Sequence, residues 1–523
     1  MKINNNIIKK LAVAGLLVST TTVFWGCTEN FDELNTNKTK LTALGKDEFP
    51  FLFSRAQQQA SYAGGTYQIA QNLFADLYAQ YYATSATYFP SDRYTMRFDW
   101  LTGHWNPVYT QVVPQLKTLI DQTDKGSSEN ALANIWWVMT FHRLTDYYGP
   151  IPYFKAGEPA RAVEYDAQDK IYDDFFKRLD AATKLLATKT AEKPYGNFDL
   201  IYKGDVNKWI KFANTLRLRL ALRISKVDPA RAKAEAEAAV AGGVMADVSD
   251  DALMVKNEAG NDHNGLGRIA IWNEFRMSAS MESVLKGFED PRMRVFYQPA
   301  TANQEFNGIR NGLLPAQLAL PLNGNNDNSN VGARWSVGGG AAWTSQLTVP
   351  QNIMHSAEAF FLRAEGAVNG WNMGGTGVML YEKGIEMSMR QWGITDAAAI
   401  AAYQQSMKTP IAPNDQQQSP AMATIPVRWG SSEAVRREQI ATQKWIGLYP
   451  DGIEAWAEFR RTRLPKLYPV VNSDNADLPK GSYIRRIPFL DLEKQTNTAA
   501  VKSAEKLLSG PDNANTPLWW DKN

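Results

Sequence analysis

The chain of 523 residues has a single cysteine, Cys27, and four histidines. One cysteine excludes an intramolecular disulfide and leaves no second thiol for a thiolate metal site. The histidines are far apart in the sequence and form no HExxH or His-x-x-x-His ligand pair. No phosphate-binding glycine loop, dinucleotide fingerprint or Gly-x-Ser-x-Gly elbow occurs where a strand would lead into a helix. The sequence therefore lacks the motifs of common catalytic and cofactor sites, and we expect no cofactor.

An excess of one charge and long apolar runs are also missing. The chain has 56 Lys and Arg against 54 Asp and Glu, a formal net charge of +2. Nucleic-acid binding needs a clustered basic face, so this balance argues against such a partner. Beyond the first 26 residues no stretch is both long and free of charge, so we predict no transmembrane helix.

The N-terminal segment has the order of a secretory signal. Three lysines precede an apolar run at 11–24, and a glycine precedes Cys27. This order indicates a bacterial lipoprotein that is cut before Cys27 and lipidated on its thiol, and several acyl chains anchor a protein firmly. Phe24 and Trp25 are bulky for such a site, and the alternative is a nearby cut that leaves a free cysteine. We expect a signal peptide at 1–26 and a lipid on Cys27.

Most of the remaining sequence has the periodicity of helices. Residues 205–225 place apolar side chains on one helical face, and a second helix follows from Asp228 to the glycines at 242–243. Similar pairs are predicted at 352–369 with 378–392, and at 432–447 with 453–463. Such antiparallel pairs resemble the unit of a tetratricopeptide solenoid, although the repeat consensus is not met. We predict a mainly α fold that contains tetratricopeptide-like helix pairs. Tryptophans on the periodic helices are assigned to its core: Trp136, Trp137, Trp209, Trp445 and Trp456.

Two regions, 83–107 and 257–350, are irregular and rich in Asn, Gly, Pro and aromatic residues. Long irregular segments inside a compact protein are functional or disordered, and the aromatic content favours function. No Gly/Ser-rich or Pro-rich linker divides the chain. We therefore expect one domain, 27–523, in which the irregular regions form functional loops.

The aromatic residues in these loops indicate a carbohydrate site. Sugar rings stack their apolar faces on Trp or Tyr, while Asn and Arg bond the hydroxyl groups at the rim. For any single ring, packing on the scaffold is the alternative. The predicted ligand contacts are Tyr88, Arg93, Trp272, Arg276, Arg334, Trp335 and Trp343.

Two other chemistries are weaker alternatives. A glycosidase needs two carboxylates several ångströms apart, whereas adjacent pairs such as Asp173 and Asp174 point in different directions on a helix. The Asn-rich run at 323–330 offers oxygen ligands that calcium accepts. It has one carboxylate and lacks the spacing of an EF-hand, so we predict no metal site.

Several segments together resemble one known family. FDELNTN at 31–37 is similar to its N-terminal motif, although Lys38 stands where proline is common. The other matching segments are FHRLTDYYGPIPY at 141–153, YDAQDKIYDDFFKRLDAA at 165–182, YKGDVNKWIKFANTLRLRLALRIS at 202–225, HSAEAFFLRAEGAVNGW at 355–371 and ATQKWIGLYPDGIEAWAEFRRTRLP at 441–465. In this order they resemble SusD/RagB-like outer-membrane lipoproteins, in the SusD-like subgroup with the tQKW…EaW.E.RRT ending.

The resemblance implies a superhelix of tetratricopeptide-like helix pairs with an irregular, loop-rich ligand-binding region packed on one side. It also implies a non-catalytic nutrient-binding lipoprotein on the outer surface of Bacteroidota-type cells. Such proteins cap a SusC-like TonB-dependent barrel and deliver glycans, or sometimes other nutrients, to it. The acidic Glu29, Asp32 and Glu33 after Cys27 resemble the family's surface-export signal. Ligand residues vary within the family, so no binding residue is transferred by motif. The alternatives are a binder of peptides or another non-glycan nutrient, and a surface glycoside hydrolase.

Overall fold

A computed structural model describes residues 45–160, 162–337 and 344–523. The chain divides into two units, Met1–Phe49 and Pro50–Asn523, and the described part of the first contains a short 3-10 turn at Lys46–Glu48. The predicted signal peptide and Cys27 lie outside the described residues, so these boundaries stay predictions. No helix within the described residues has both the length and the apolar character needed to span a membrane.

Helices dominate the described part of the chain, which confirms the predicted mainly α fold. In chain order the α-helices are α1 Phe49–Ala60, α2 Phe98–Pro107, α3 Val113–Gln122, α4 Ser128–Tyr148, α5 Gln168–Leu186, α6 Val206–Arg223, α7 Pro229–Ala241, α8 Gly265–Ala270, α9 Ala279–Gly287, α10 Met293–Phe296, α11 Pro315–Leu318, α12 Ser356–Val368, α13 Gly377–Gln391, α14 Ala397–Gln404, α15 Glu433–Leu448, α16 Gly452–Thr462, α17 Asp491–Thr496 and α18 Thr498–Glu505. Two π-helical segments, Gln68–Asp76 and Val108–Val112, lie beside α2.

Six short strands form three two-stranded antiparallel sheets in the described residues. They are β1 Tyr82–Thr84, β2 Ala252–Met254, β3 Phe275–Met277, β4 Ser336–Val337, β5 Thr344–Ser345 and β6 Gln351–Met354. The pairs are β1 with β3, β2 with β6 and β4 with β5. The sheets β1 with β3 and β2 with β6 therefore tie together segments that are distant in the sequence, whereas β4 and β5 are close in the sequence.

The predicted helix pairs are present, and capping residues explain their limits. The Asp205 carboxylate accepts backbone hydrogen bonds from Asn207 and Lys208 at 3.1 and 3.3 Å, which starts α6. Asp228 caps α7, whose first residue is Pro229. The helix predicted from residue 352 begins later, at α12, because β6 pairs with β2 in front of it.

The helix pairs pack closely because small residues stand at the contacts. A Cβ atom at Gly384 of α13 would lie 2.6 Å from the ring of Phe361 on α12, so the glycine permits this approach. The helix α15 packs on both α12 and α13, and α4 packs on α5 as α6 does on α7. The tryptophans assigned to the core are all buried: Trp136, Trp137, Trp209, Trp445 and Trp456.

The same helices bury charges as well as rings. Arg219 on α6 forms a bidentate ion pair with Glu358, and both of its hydrogen bonds are 2.6 Å long. One turn further, Arg223 contacts Glu454 at 2.5 Å and Glu458 at 2.8 Å. Because each buried cation has acidic partners, the alternating RLRLALR segment is compatible with a buried helix.

The two irregular regions contain more helix than predicted. The first ends in α2, and the second contains α8, α9, α10 and α11. These helices are too short to show a clear period in the sequence. Asparagine side chains stabilise the chain between them, since Asn311 donates to the backbone oxygen of Tyr82 at 2.8 Å and Asn328 donates to that of Leu322 at 2.8 Å.

Candidate ligand-binding site

The pairing of β1 with β3 brings two loop segments together. Thr84 at the end of β1 stands opposite Phe275 at the start of β3. The chain that leaves β1 and the chain that enters β3 therefore meet at the same end of the sheet. The backbone N–H of Ser85 donates to the carbonyl oxygen of Glu274 at 3.0 Å and extends this contact. Tyr88 follows a few residues later and comes to lie beside the Glu274 side chain.

The Glu274 carboxylate joins three segments of the chain. Its Oε1 accepts a 2.6 Å hydrogen bond from the hydroxyl of Tyr88, and its Oε2 accepts a 2.5 Å bond from Nε2 of Gln68. A Cβ atom at Gly65 would lie 3.4 Å from Cη2 of Trp272, so the segment before Gln68 also borders this ring. Gln68 opens a π-helical segment, a feature often found at functional sites.

We name the surface formed by Gln68, Tyr88, Trp100, Trp272 and Glu274 the aromatic face. Tyr88 is 64% exposed and Trp272 is 36% exposed, which is unusual for rings of this size. Trp100 on α2 is half-buried and is linked to Tyr88 through a ring that packs between them, Phe89. The face therefore offers apolar ring surfaces beside hydrogen-bonding groups.

Its polar groups are suited to binding a neutral ligand. Partial desolvation and the hydrogen bond to Glu274 raise the pKa of Tyr88 to about 12, so the phenol stays protonated at neutral pH. The guanidinium of Arg97 lies 4.5 Å from the ring centre of Trp100, and that of Arg268 lies 6.0 Å from Trp272. Both cations lie over the rings. Two nitrogens of Arg97 also bond to the carboxylate of Asp99, at 3.3 and 3.1 Å.

The predicted contact Arg276 lies beneath the face. It is 2% exposed, and its Nε donates to the backbone oxygen of Asn325 at 2.9 Å. Its other nitrogens bond to Phe275 and Asn273, and burial lowers its pKa to about 10. Arg276 therefore fixes the loop that carries Trp272 and does not reach the surface itself.

Arg93 also bonds to other parts of the protein. Its Nε forms a 2.7 Å ion pair with Asp474, and the backbone N–H of Asp474 donates to the carbonyl oxygen of Arg93. The pair fastens the 3-10 turn Ser91–Arg93 to the C-terminal part of the chain. Arg93 is partly exposed, but its charge already has a partner.

Trp335 and Arg334 lie apart from the aromatic face. Trp335 is 0% exposed, and its ring centre is 5.7 Å from those of Trp392 and Tyr449. The ring is therefore unavailable to a ligand in this conformation. Arg334 is exposed, with its guanidinium 5.7 Å from the ring of Trp392. Trp343, the remaining predicted contact, lies outside the described residues.

Sequence reasoning missed Gln68, Trp100 and Glu274. Trp100 lies at the end of the aromatic-rich stretch 87–100 in the first irregular region, and this composition could have identified it. Gln68 and Glu274 give no such signal, because 206 residues separate these hydrogen-bonded partners. Nothing in the local sequence marks them as neighbours.

The carboxylates of the face are engaged by protein donors. Among its five residues Glu274 is the one carboxylate, and both of its oxygens accept hydrogen bonds from the protein. Asp99, beside Trp100, pairs with Arg97 at 3.1 Å. Glycoside hydrolysis uses a pair of carboxylates roughly 5 to 9.5 Å apart. In the described part of the chain, no group of three or more His, Cys, Asp or Glu residues is placed to hold a metal ion.

Comparison with known proteins identifies the family. The profile for SusD-like proteins, described as Susd and RagB outer membrane lipoprotein, matches residues 30–521. No match was found among curated proteins.

Solved structures match over most of their length. A chitin-binding SusD homologue from Flavobacterium johnsoniae is 34% identical with a TM-score of 0.81, covering 91% of this chain and 98% of that one. A SusD-like protein from Bacteroides thetaiotaomicron is 30% identical with a TM-score of 0.80, covering 91% and 99%. A further chitin-binding protein is 28% identical with a TM-score of 0.74, covering 91% and 100%. The chain belongs to the SusD-like family of outer membrane lipoproteins.

Proposed function

We propose that the protein binds glycans on the cell surface and that the aromatic face is where they bind. The exposed ring of Trp272 beside the hydrogen-bonded Tyr88–Glu274–Gln68 group carries this proposal. A pyranose ring can lay its apolar face on the indole while its hydroxyl groups bond the neighbouring phenol, carboxylate and amide. Chitin-type oligosaccharides are the first class to test, because two structurally similar proteins are described as chitin-binding.

We also propose a cellular location for the protein and a partner that receives the ligand. The family is described as outer membrane lipoproteins. The signal-like order before Cys27 supports a lipid on that cysteine, with the aromatic face turned to the exterior. Delivery to a SusC-like TonB-dependent barrel follows from the family resemblance. Replacing Cys27 with alanine should release the protein from the membrane fraction, whereas unchanged retention contradicts the lipid anchor.

Of the contacts predicted from sequence, Tyr88 and Trp272 are the central ones in this proposal. Arg276 and Arg93 have supporting roles in this proposal, because their nitrogens already bond to protein oxygens. Arg334 and Trp343 remain proposed contacts for a longer ligand. Trp335 has a ligand role only if its packing on Trp392 and Tyr449 opens.

A glycan panel tests the function. Isothermal titration with chitohexaose, cellohexaose and maltohexaose should give saturable binding to at least one oligosaccharide. Overnight incubation with the same panel should produce no new reducing ends. Absence of binding to every glycan, combined with binding to a peptide mixture, would favour a non-glycan nutrient. Release of reducing ends would contradict a binding-only role.

A further inference from the structure

A cavity lies on the helical scaffold, where the ends of α6, α12, α15 and α16 meet. Its volume is about 570 Å³, compared with about 220 Å³ for the groove beside Trp519. Small-molecule and peptide side-chain pockets commonly measure roughly 300–1,000 Å³. None of its lining residues belongs to the aromatic face, so it is a separate feature of the molecule.

Part of the cavity lining is apolar. Ile440 on α15 is 1% exposed and forms part of its floor. Val368, Trp371 and Leu464 also line it, and the ring of Trp371 is half-buried. An apolar side chain entering the cavity would remove these surfaces from water at about 25 cal/mol per Å².

Two cationic side chains, Lys226 and Arg437, line the cavity. The Nζ of Lys226 contacts the side-chain oxygen of Asn523, and none of the described carboxylates forms an ion pair with it. Arg437 pairs with Glu433 at 2.8 Å, but Glu433 is 65% exposed, and exposed pairs contribute little. Arg437 also donates to the side-chain oxygen of Asn369 at 2.8 Å, which holds the guanidinium at the rim.

The third cation at the cavity, Arg461, is already neutralised. It contacts the two oxygens of Glu365 at 2.7 and 2.6 Å and Glu458 at 2.7 Å. All three side chains are buried. The unmatched positive charge is therefore on Lys226, and Arg437 can exchange its exposed partner for a ligand.

We propose that this cavity binds the carboxylate end of a peptide whose last side chain is apolar. The terminal carboxylate would contact Lys226 and Arg437, and the apolar side chain would enter between Trp371 and Ile440. The amide of Asn369 would bond the peptide backbone. A uronic acid fits less well, because its hydroxyl groups would face the apolar lining without partners.

The test compares two forms of one peptide. An acetylated pentapeptide ending in leucine is titrated into the full protein with either a free carboxylate or a terminal amide. The free acid should bind at least about tenfold more tightly, since a charge-assisted hydrogen bond is lost in the amide. Lys226→Met and Arg437→Gln should each weaken the free acid about tenfold and leave the amide unchanged. Having two variants keeps the test valid if one fails to fold.

Matched controls separate this site from others. Lys233→Met removes an exposed lysine of α7 outside the cavity and should change nothing. Trp272→Ala should leave peptide binding intact, so failure of the glycan proposal and of this one are distinguishable. The proposal is overturned if the free acid does not bind at millimolar concentration, if acid and amide bind equally, or if both cavity variants keep full affinity. Tighter binding of glucuronate than of the peptide acid also overturns it.

Discussion

The helical scaffold and the aromatic face use the same types of residue in opposite ways. On the scaffold, Trp209 and Trp456 are 0% exposed, and each indole N–H donates to a partner, Asp199 at 2.7 Å and Ile484 at 3.1 Å. On the aromatic face, Trp272 is 36% exposed, and the tyrosine hydroxyl beside it is held by Glu274. One region uses its rings to hold the fold together, and the other keeps ring surface in contact with water.

Charged residues show the same contrast. Arginines of α6 are buried with several carboxylates around each of them, as the contacts of Arg223 with Glu454 and Glu458 show. On the aromatic face the cations Arg97 and Arg268 lie over exposed or half-buried rings. The difference teaches that exposed ring area beside polar groups, and not aromatic content as such, distinguishes the proposed binding surface from the scaffold.

The largest expected effect is on the scaffold. Arg223→Met leaves the buried Glu454 without its main partner and removes one of the three cations that contact Glu458, so we expect a loss of about 3 to 5 kcal/mol in the free energy of unfolding. Urea unfolding measures it. Lys155→Met, which breaks an exposed pair with Glu164, is the matched control and should change stability by less than about 0.5 kcal/mol. Equal effects of the two changes would refute the contrast.

A second scaffold prediction concerns pH. Burial raises the pKa of Asp76 from 3.8 to about 7, against the opposing hydrogen bonds from Gln71 and Tyr67. Between these values the folded protein binds more protons than the unfolded chain, so its stability falls as the pH rises through this window. Asp76→Asn should reduce that fall by about 4 kcal/mol. Burial also raises the pKa of Asp92 to about 7, so a residual slope is expected. Parallel curves for the two proteins would contradict the assignment.

On the aromatic face the expected effect is on affinity. Trp272→Ala removes the stacking surface and should weaken glycan binding by roughly 30-fold, about 2 kcal/mol, with an unchanged melting temperature. Phe198→Ala is the matched control, because this ring is 40% exposed but packs against Phe51 and not on the face. If both variants lose affinity equally, the loss is caused by the reduced exposed ring area in general, and Trp272 does not mark a specific binding site.

The smallest expected effect comes from Glu274, the carboxylate that accepts the hydrogen bond of Tyr88. Glu274→Gln disturbs the bonds to Tyr88 and Gln68, and we expect a loss of about threefold in glycan affinity. The pKa of Tyr88 should fall from about 12 toward its usual value, which NMR titration of labelled tyrosine can follow. Combined with Tyr88→Phe, the two effects should be non-additive because the side chains act as a unit. Strict additivity would show that Glu274 does not position Tyr88.

The sequence predicts the scaffold better than the face for a physical reason. Helices such as α6 carry a period and caps within a short window, so local information suffices. The burial of Trp335 depends on Trp392 and Tyr449, more than fifty residues away, and no local pattern separates it from the exposed Trp272. Glu274 likewise meets Gln68 across 206 residues of sequence. Composition selected the loop regions in which we propose the binding site, whereas tertiary contacts decide which of their rings face the solvent.

The most direct test of the account is a crystal structure of the protein with chitohexaose, or with the tightest glycan from the panel. The account predicts a sugar ring stacked on Trp272, with its hydroxyl groups within hydrogen-bond distance of Tyr88 or Glu274. A bound glycan that touches none of these three residues would contradict the central claim.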